Sequence, residues 1–211
     1  MSGINFPPRY KVLKYQEIKS TLNLDHVITM VEKAFGYIKP HKFSIDFYPL
    51  FSKQGLHNSN YLLFNEEIIG AIFCSERKVN INNKEFTSAC LGGIFITEEH
   101  RGKGLFRLFF SQALRNIQNA VTPDLFMLWS ENTCLYKNFN FKSSGLTYYE
   151  FPKNPLKDCP EGFKSTTIDR LSSLQINQLK QLYEKNLVFS SFKRDEQDWS
   201  NVKNISSIKI F

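Results

Sequence analysis

The sequence predicts an α/β protein with a mixed central sheet flanked by helices. Three observations carry that prediction. Short runs rich in β-branched and aromatic residues recur, such as Ile94-Phe95-Ile96 and Leu125 to Trp129. Helix-period apolar stripes separate them, and asparagine-containing turns join the neighbouring strands. Strands alternating with helices put helices on the faces of a sheet.

Taken in order, Arg9 to Gln16 alternates roughly and reads as a first, edge strand. Asn23 is placed to cap a helix whose apolar residues Leu24, Val27, Ile28, Val31 and Phe35 lie on one side, with Gly36 as its stop. Ser44 to Gln54 reads as a second helix disturbed at Pro49. Asn60 to Phe64 and Ile68 to Val79 are strands around an Asn65-Glu66-Glu67 turn, and Asn82-Asn83 signals a second hairpin before the strand Phe86 to Ile96. After the central helix come a strand at Leu125 to Trp129, a helix from about Asn132, and a strand at Thr147 to Phe151.

The stretch Gly92 to Ile117 organises the rest. Its strand ends in Thr97-Glu98-Glu99-His100, and Arg101-Gly102-Lys103-Gly104 then opens a helix with Phe106, Phe109, Phe110, Ala113, Leu114 and Ile117 on one face. Glycines let a ligand approach the backbone, and the first N–H groups of a helix have no internal partner. With Arg101, Lys103 and Arg107 alongside, the turn is an anion cradle suited to phosphate or pyrophosphate. A solvated basic turn is the ordinary reading of those four residues alone. No P-loop lysine with a following Ser or Thr is present, and no dinucleotide-binding glycine pattern.

Between a strand and an amphipathic helix, Arg101-x-x-Gly104-x-Phe106 resembles the acyl-CoA binding motif of the GNAT superfamily of N-acetyltransferases. Phe106 departs from it, standing where the family has Gly or Ala; it either crowds the pyrophosphate or turns into the core. About thirty residues on, Leu135-Tyr136-Lys137-Asn138-Phe139-Asn140-Phe141 is similar to the family's Leu-Tyr-x-x-x-Gly-Phe, with Asn140, tolerant of left-handed backbone, for Gly. The resemblance covers residues 9–151 and implies the expected element order. It implies that acetyl-CoA is the acyl donor and an amine, on a small molecule or a protein, the acceptor. The turn from Gly102 through Leu105 to Arg107 would hold pyrophosphate, and the backbone of Ile94, Phe95 and Ile96 would hold pantetheine and polarise the thioester. Tyr136 would protonate the departing thiolate; phenol and thiol pKa values of about 10 and 8.5 make that transfer nearly balanced. Otherwise Tyr136 is an amphipathic-helix residue with a wet hydroxyl. Glu131 is a candidate general base or amine binder, although a residue there more ordinarily favours the following helix N-terminus. Two other readings stand beside the enzyme: a non-catalytic acyl-CoA sensing module, favoured by Phe106 and by the lack of an evident base, and an interaction or nucleic-acid adaptor, favoured by charge alone.

Composition narrows the classes. The chain has 211 residues, 42% apolar, with twenty Phe and nine Tyr, which excludes a disordered polymer. The net charge of +7 suits a polyanionic ligand, but no basic run reaches five residues, so nucleic acid is disfavoured. Cys74, Cys90, Cys134 and Cys159 show neither metal-like nor disulfide-framework spacing; reduced thiols in a cytoplasmic protein are expected, with Cys134 buried. The four histidines are scattered and read as structural, and no metal is expected. Residues 1–20 lack an apolar signal core, and no apolar run approaches a membrane span.

Residues 1–151 are therefore expected to form the acetyltransferase domain and 152–162, with Pro152, Pro155, Pro160 and Gly162, a linker. The tail, 163–211, reads as strand, Ser172- or Ser173-capped helix, a short helix at Arg194 to Trp199, and a strand from Ser207. That order repeats the opening of the chain and looks like the start of a second GNAT-like segment, as in tandem proteins of the superfamily. The alternative is an extension that packs on the first sheet and completes it. Its apolar side calls for cover from the first domain or from a second copy of the chain in a homodimer.

Overall fold

The computed structural model describes residues 5–143, 166–185, 191–205 and 209–210. The expected strand at 147–151 and the linker lie outside these residues. Five strands form one continuous path: β1 (Tyr10–Lys14), β2 (Asn60–Phe64), β3 (Glu67–Ile81), β4 (Lys84–Ile96) and β5 (Leu125–Leu128). The first four are antiparallel neighbours and β5 lies parallel to β4, so the sheet is mixed as expected. Both hairpins have two-residue turns with left-handed backbone at each position, φ 49° and 72° at Asn65 and Glu66, 49° and 62° at Asn82 and Asn83. Such turns match the right-handed twist of the strands they join.

Helices cover both faces. After the single turn α1 (Tyr15–Ile18) comes α2 (Leu24–Ala34), whose cap Asn23 accepts from the His26 N–H at 3.0 Å. The expected helix at 44–54 is instead three short ones: α3 (Phe43–Asp46), α4 (Tyr48–Phe51) and α5 (Lys53–His57). Pro49 enters at the first turn of α4, where its missing N–H costs nothing, and the Ser52 hydroxyl caps α5 by accepting from the Gly55 N–H. These helices pack Val27, Val31, Phe43, Leu50 and Leu56 against Tyr61, Leu63, Ala71, Phe73 and Phe95. On the other face α6 (Leu105–Val121) buries Leu105, Phe109, Phe110, Ala113 and Ile117 against Leu62, Ile72, Cys74, Ala89 and Leu91.

The tail docks on this unit. β6 (Thr166–Thr167) leads to α7 (Ser173–Lys185), where Ser172 and Gln175 exchange capping hydrogen bonds. β7 (Ser191–Phe192) pairs antiparallel with Val79 and Asn80 at the far end of β3. α8 (Glu196–Val202) starts at an Asp195 capping box, and β8 (Lys209–Ile210) returns antiparallel to β6. Arg77 and Asp198 form a two-pronged ion pair at 2.7 and 2.5 Å, and the Tyr48 hydroxyl donates to the same carboxylate at 2.7 Å.

Candidate active site

Two glycines shape the turn before α6. Gly102 and Gly104 have φ of 72° and 73°, and a Cβ placed on either would meet no atom within 4 Å. They are required by backbone conformation, and the space in front of them is open. Gly104 is the N-cap of α6, so no side chain bonds the first N–H groups of this 17-residue helix. The exposed cradle thus offers unpaired donors and the positive end of the helix dipole, with Lys103 and Arg107 exposed beside it. Arg101 also ties the turn to the strand, its Nε donating to the Ile96 carbonyl at 2.8 Å. Lys103 Nζ donates to the Glu99 carbonyl at 2.8 Å.

β4 is irregular where it pairs with β3. Ala71 faces Phe95 but Phe73 faces Gly92, so β4 carries one extra residue opposite Ile72. This is a bulge; Gly93 within it has φ 56°, and a Cβ there would lie 2.7 Å from the Phe73 ring. The parallel pairing with β5 ends at Leu91 and Leu128, just before the bulge. Beyond it no ladder joins Gly92 to Ile96 with Trp129 to Glu131, which leaves an unpaired fork. Ile94 is half-buried, while Phe95 and Ile96 turn into opposite cores.

Tyr136 stands beside the start of α6. Its side chain is 7% exposed, with ring centroids 5.8 Å from Phe106 and 5.3 Å from Phe110. Phe106 stacks on Phe110 at 5.4 Å, so its ring joins the aromatic cluster rather than filling the cradle. The residue that departs from the motif is thus the link between the two signatures. Burial raises the Tyr136 phenol above its ordinary pKa, opposed by a hydrogen bond with Ser130. The helix expected from Asn132 is two 3₁₀ turns, Thr133–Leu135 and Lys137–Phe139, because Asn132, Thr133, Asn138 and Asn140 favour turns over helix. Asn140 has φ 63°, the left-handed end its position called for. Cys134 is exposed, not buried, because the 3₁₀ turn carries Tyr136 inward instead. Glu131 is exposed at the mouth of the fork.

Among the described residues no group of three or more His, Cys, Asp or Glu is arranged to hold a metal ion, and no helix is long and apolar enough to cross a membrane. Sequence reasoning missed the Gly93 bulge, although adjacent glycines in a strand are its signal. It also missed the Ser130 contact and the Arg101 tie, which no local pattern announces.

The family profile described as an acetyltransferase (GNAT) domain matches residues 15–143. The chain belongs to the GNAT family. Its fold is similar to that of Eis1 from Mycobacterium abscessus, with a TM-score of 0.59 at 14% identity, covering 90% of this chain and 46% of that one. A GCN5-related N-acetyltransferase from Anabaena variabilis gives 0.49 at 17% identity over 62% of this chain and 31% of its own. A predicted acetyltransferase with acetyl-CoA from Clostridium acetobutylicum gives 0.49 at 12% identity over 68% and 94%. The GNAT chain therefore spans less than half of Eis1 and less than a third of the Anabaena protein. No curated protein sequence matches it. Residues 15–143 thus carry the domain of a family described as acetyltransferases.

Proposed function

We propose that the protein transfers an acetyl group from acetyl-CoA to an amine by direct attack. The observation that carries the reading is the uncapped α6 N-terminus, behind two left-handed glycines, joined through Phe106 to a buried tyrosine. The N–H groups from Gly102 to Arg107 and the cations of Arg101, Lys103 and Arg107 bind pyrophosphate. The fork between β4 and β5 receives the pantetheine arm against Ile94, Phe95 and Ile96, as an added strand would pair. Backbone donors of β4 polarise the thioester carbonyl. The amine nitrogen then forms the C–N bond, and the C–S bond breaks. Tyr136 gives its proton to the thiolate, and the amine proton leaves through Glu131 or water.

The tail belongs to the same proposal as a partial second unit. Support comes from the order β6, α7, α8 and β8, which β7 interrupts to pair with β3, and from β6 and β8 pairing antiparallel as β1 and β2 do. A crystal structure in which residues 163–211 fail to superpose on 9–64 would overturn that part. The activity is tested by incubating the full chain with acetyl-CoA and a panel of amines while following thiol release. Acetyl-CoA binding with no turnover across the panel would favour the sensing module instead.

A further inference from the structure

Trp129 is the first residue beyond the ladder that joins β4 to β5, so it stands at the base of the fork. Phe126 and Leu128 pack into the core under α6, and alternation along β5 turns Trp129 to the other face. Its indole is 60% exposed, although tryptophan is on average a highly buried residue. Leu135, 45% exposed, follows in the same connection, so the apolar surface here is more than one stray side chain. The tail touches the fork at Trp129. The Phe192 ring of β7 lies 5.9 Å from the Trp129 ring, tilted at 57°. Phe192 pairs with Val79, which shares a face of β3 with Phe73, so it too stands on the side away from α6. One side of the indole is thus backed by the tail, and much of the rest is open to solvent.

We propose that Trp129 sets the acceptor specificity by stacking on an aromatic ring carried by the amine, and that Phe192 is the positioning residue that holds its indole. The inference rests on the acetyltransferase reading and names the acceptor class. On the α6 face the Tyr136, Phe106 and Phe110 rings fill the space beside the fork. An acceptor therefore comes in from the other face, where Trp129 stands. No Lys or Arg occurs between Asp124 and Lys137, in a chain of net charge +7, and Glu131 is exposed in that stretch. The β5 side of the mouth thus tolerates an ammonium, which the basic cradle repels. An arylalkylamine suits both features. Its ring pairs with the open part of the indole, as Phe192 does from behind, and its ammonium is left to Glu131. Ring pairs gain beyond the area they bury, so an aliphatic body of the same size binds less well.

The test uses the full chain and two amines of equal charge and arm, phenethylamine and 2-cyclohexylethylamine. The chain has two tryptophans and Trp199 is 4% exposed, so an emission change on titration without acetyl-CoA reports Trp129. Phenethylamine is expected to shift that emission at about tenfold lower concentration than the cyclohexyl amine. Trp129→Leu is expected to remove the shift and to bring the kcat/KM ratio of the two amines from about ten to about one. Trp129→Phe is expected to keep most of that ratio. Phe192→Ala is expected to raise the phenethylamine KM about threefold, a larger effect than on kcat, and Phe192→Tyr to restore it. Should Phe192→Ala release the tail, Phe192→Leu, which keeps bulk without the ring, decides that part. Equal response to the two amines, no response to either, or a ratio that survives Trp129→Leu overturns the proposal. A KM indifferent to Phe192 overturns the part given to the tail. Phenethylamine that binds through Trp129 but is never acetylated overturns the acetyltransferase reading instead, and the emission titration still decides the ring.

Discussion

At Tyr136 burial holds the phenol above its ordinary pKa of about 10, so at neutral pH the group carries the proton that a departing thiolate needs. Tyr136→Phe is expected to keep acetyl-CoA stabilisation while kcat falls about 10²-fold. Full activity in the variant would return Tyr136 to a packing role among Phe106, Phe110 and Phe141. The sign of the shift has a pH consequence. A phenol whose folded pKa is raised stays protonated past its ordinary range, so kcat should show no alkaline loss from this group below about pH 10. Asp198 is shifted the other way. Burial would raise its carboxyl, but hydrogen bonds from Arg77 and Tyr48 outweigh burial and hold it below its ordinary value. Its contribution to stability is present above an ordinary carboxylate pKa of about 3.9 and is lost as pH falls through the lower folded value.

The elements differ in how far the sequence announces them. Asn23, the Asn65-Glu66 and Asn82-Asn83 turns and the stripe of α6 act through neighbours within a few residues, and they stand where the pattern put them. The cradle was legible for the same reason, since strand, glycines and helix are contiguous. The bulge at Gly93 was not, because a bulge is a mismatch with another strand and exists only once β3 is in register. The fate of Phe106 likewise depended on rings more than thirty residues ahead. Two glycine substitutions test these elements. With acetyl-CoA at 100 times its Kd, the wild type should gain about 2.7 kcal/mol of stability. Gly104→Glu should abolish that gain by putting an anion in the cradle, whereas Gly104→Asn, which tolerates left-handed backbone, should keep most of it. Gly93→Ala should cost about 1–3 kcal/mol in chemical denaturation, from backbone strain and its clash with Phe73. An unchanged midpoint would mean the bulge is free to shift.

For the molecule as a whole, the tail's own core among the described residues is small: Ile168, Ile176 and Val202, with Leu171, Leu179 and Tyr48 of α4 packed beside them, and Trp199 buried nearby in sequence. The tail holds its place through β7 and through Arg77 and Asp198, 121 residues apart in the chain and so invisible to any local reading. Removing one partner of so enclosed a pair leaves the other uncompensated, and Asp198→Ala is expected to cost about 3–5 kcal/mol. A variant as stable as the wild type would show the pair to be ornamental. Because β4 lines one edge of β3 from Gly70 to Ile81 while the other edge carries β2 at Glu67 to Ile72 and β7 at Val79 and Asn80, the molecule holds a built-in partial opening, in which the tail lifts while the rest of the sheet stays folded. Native-state hydrogen exchange reads that event strand by strand. In Asp198→Ala, the Asn80 amide, on the edge of β3 where the Lys78 carbonyl accepts from Lys193, should exchange faster, while those of Ala71 to Phe73 keep wild-type protection. Equal acceleration along all of β3 would instead mean that tail and sheet open as one cooperative unit.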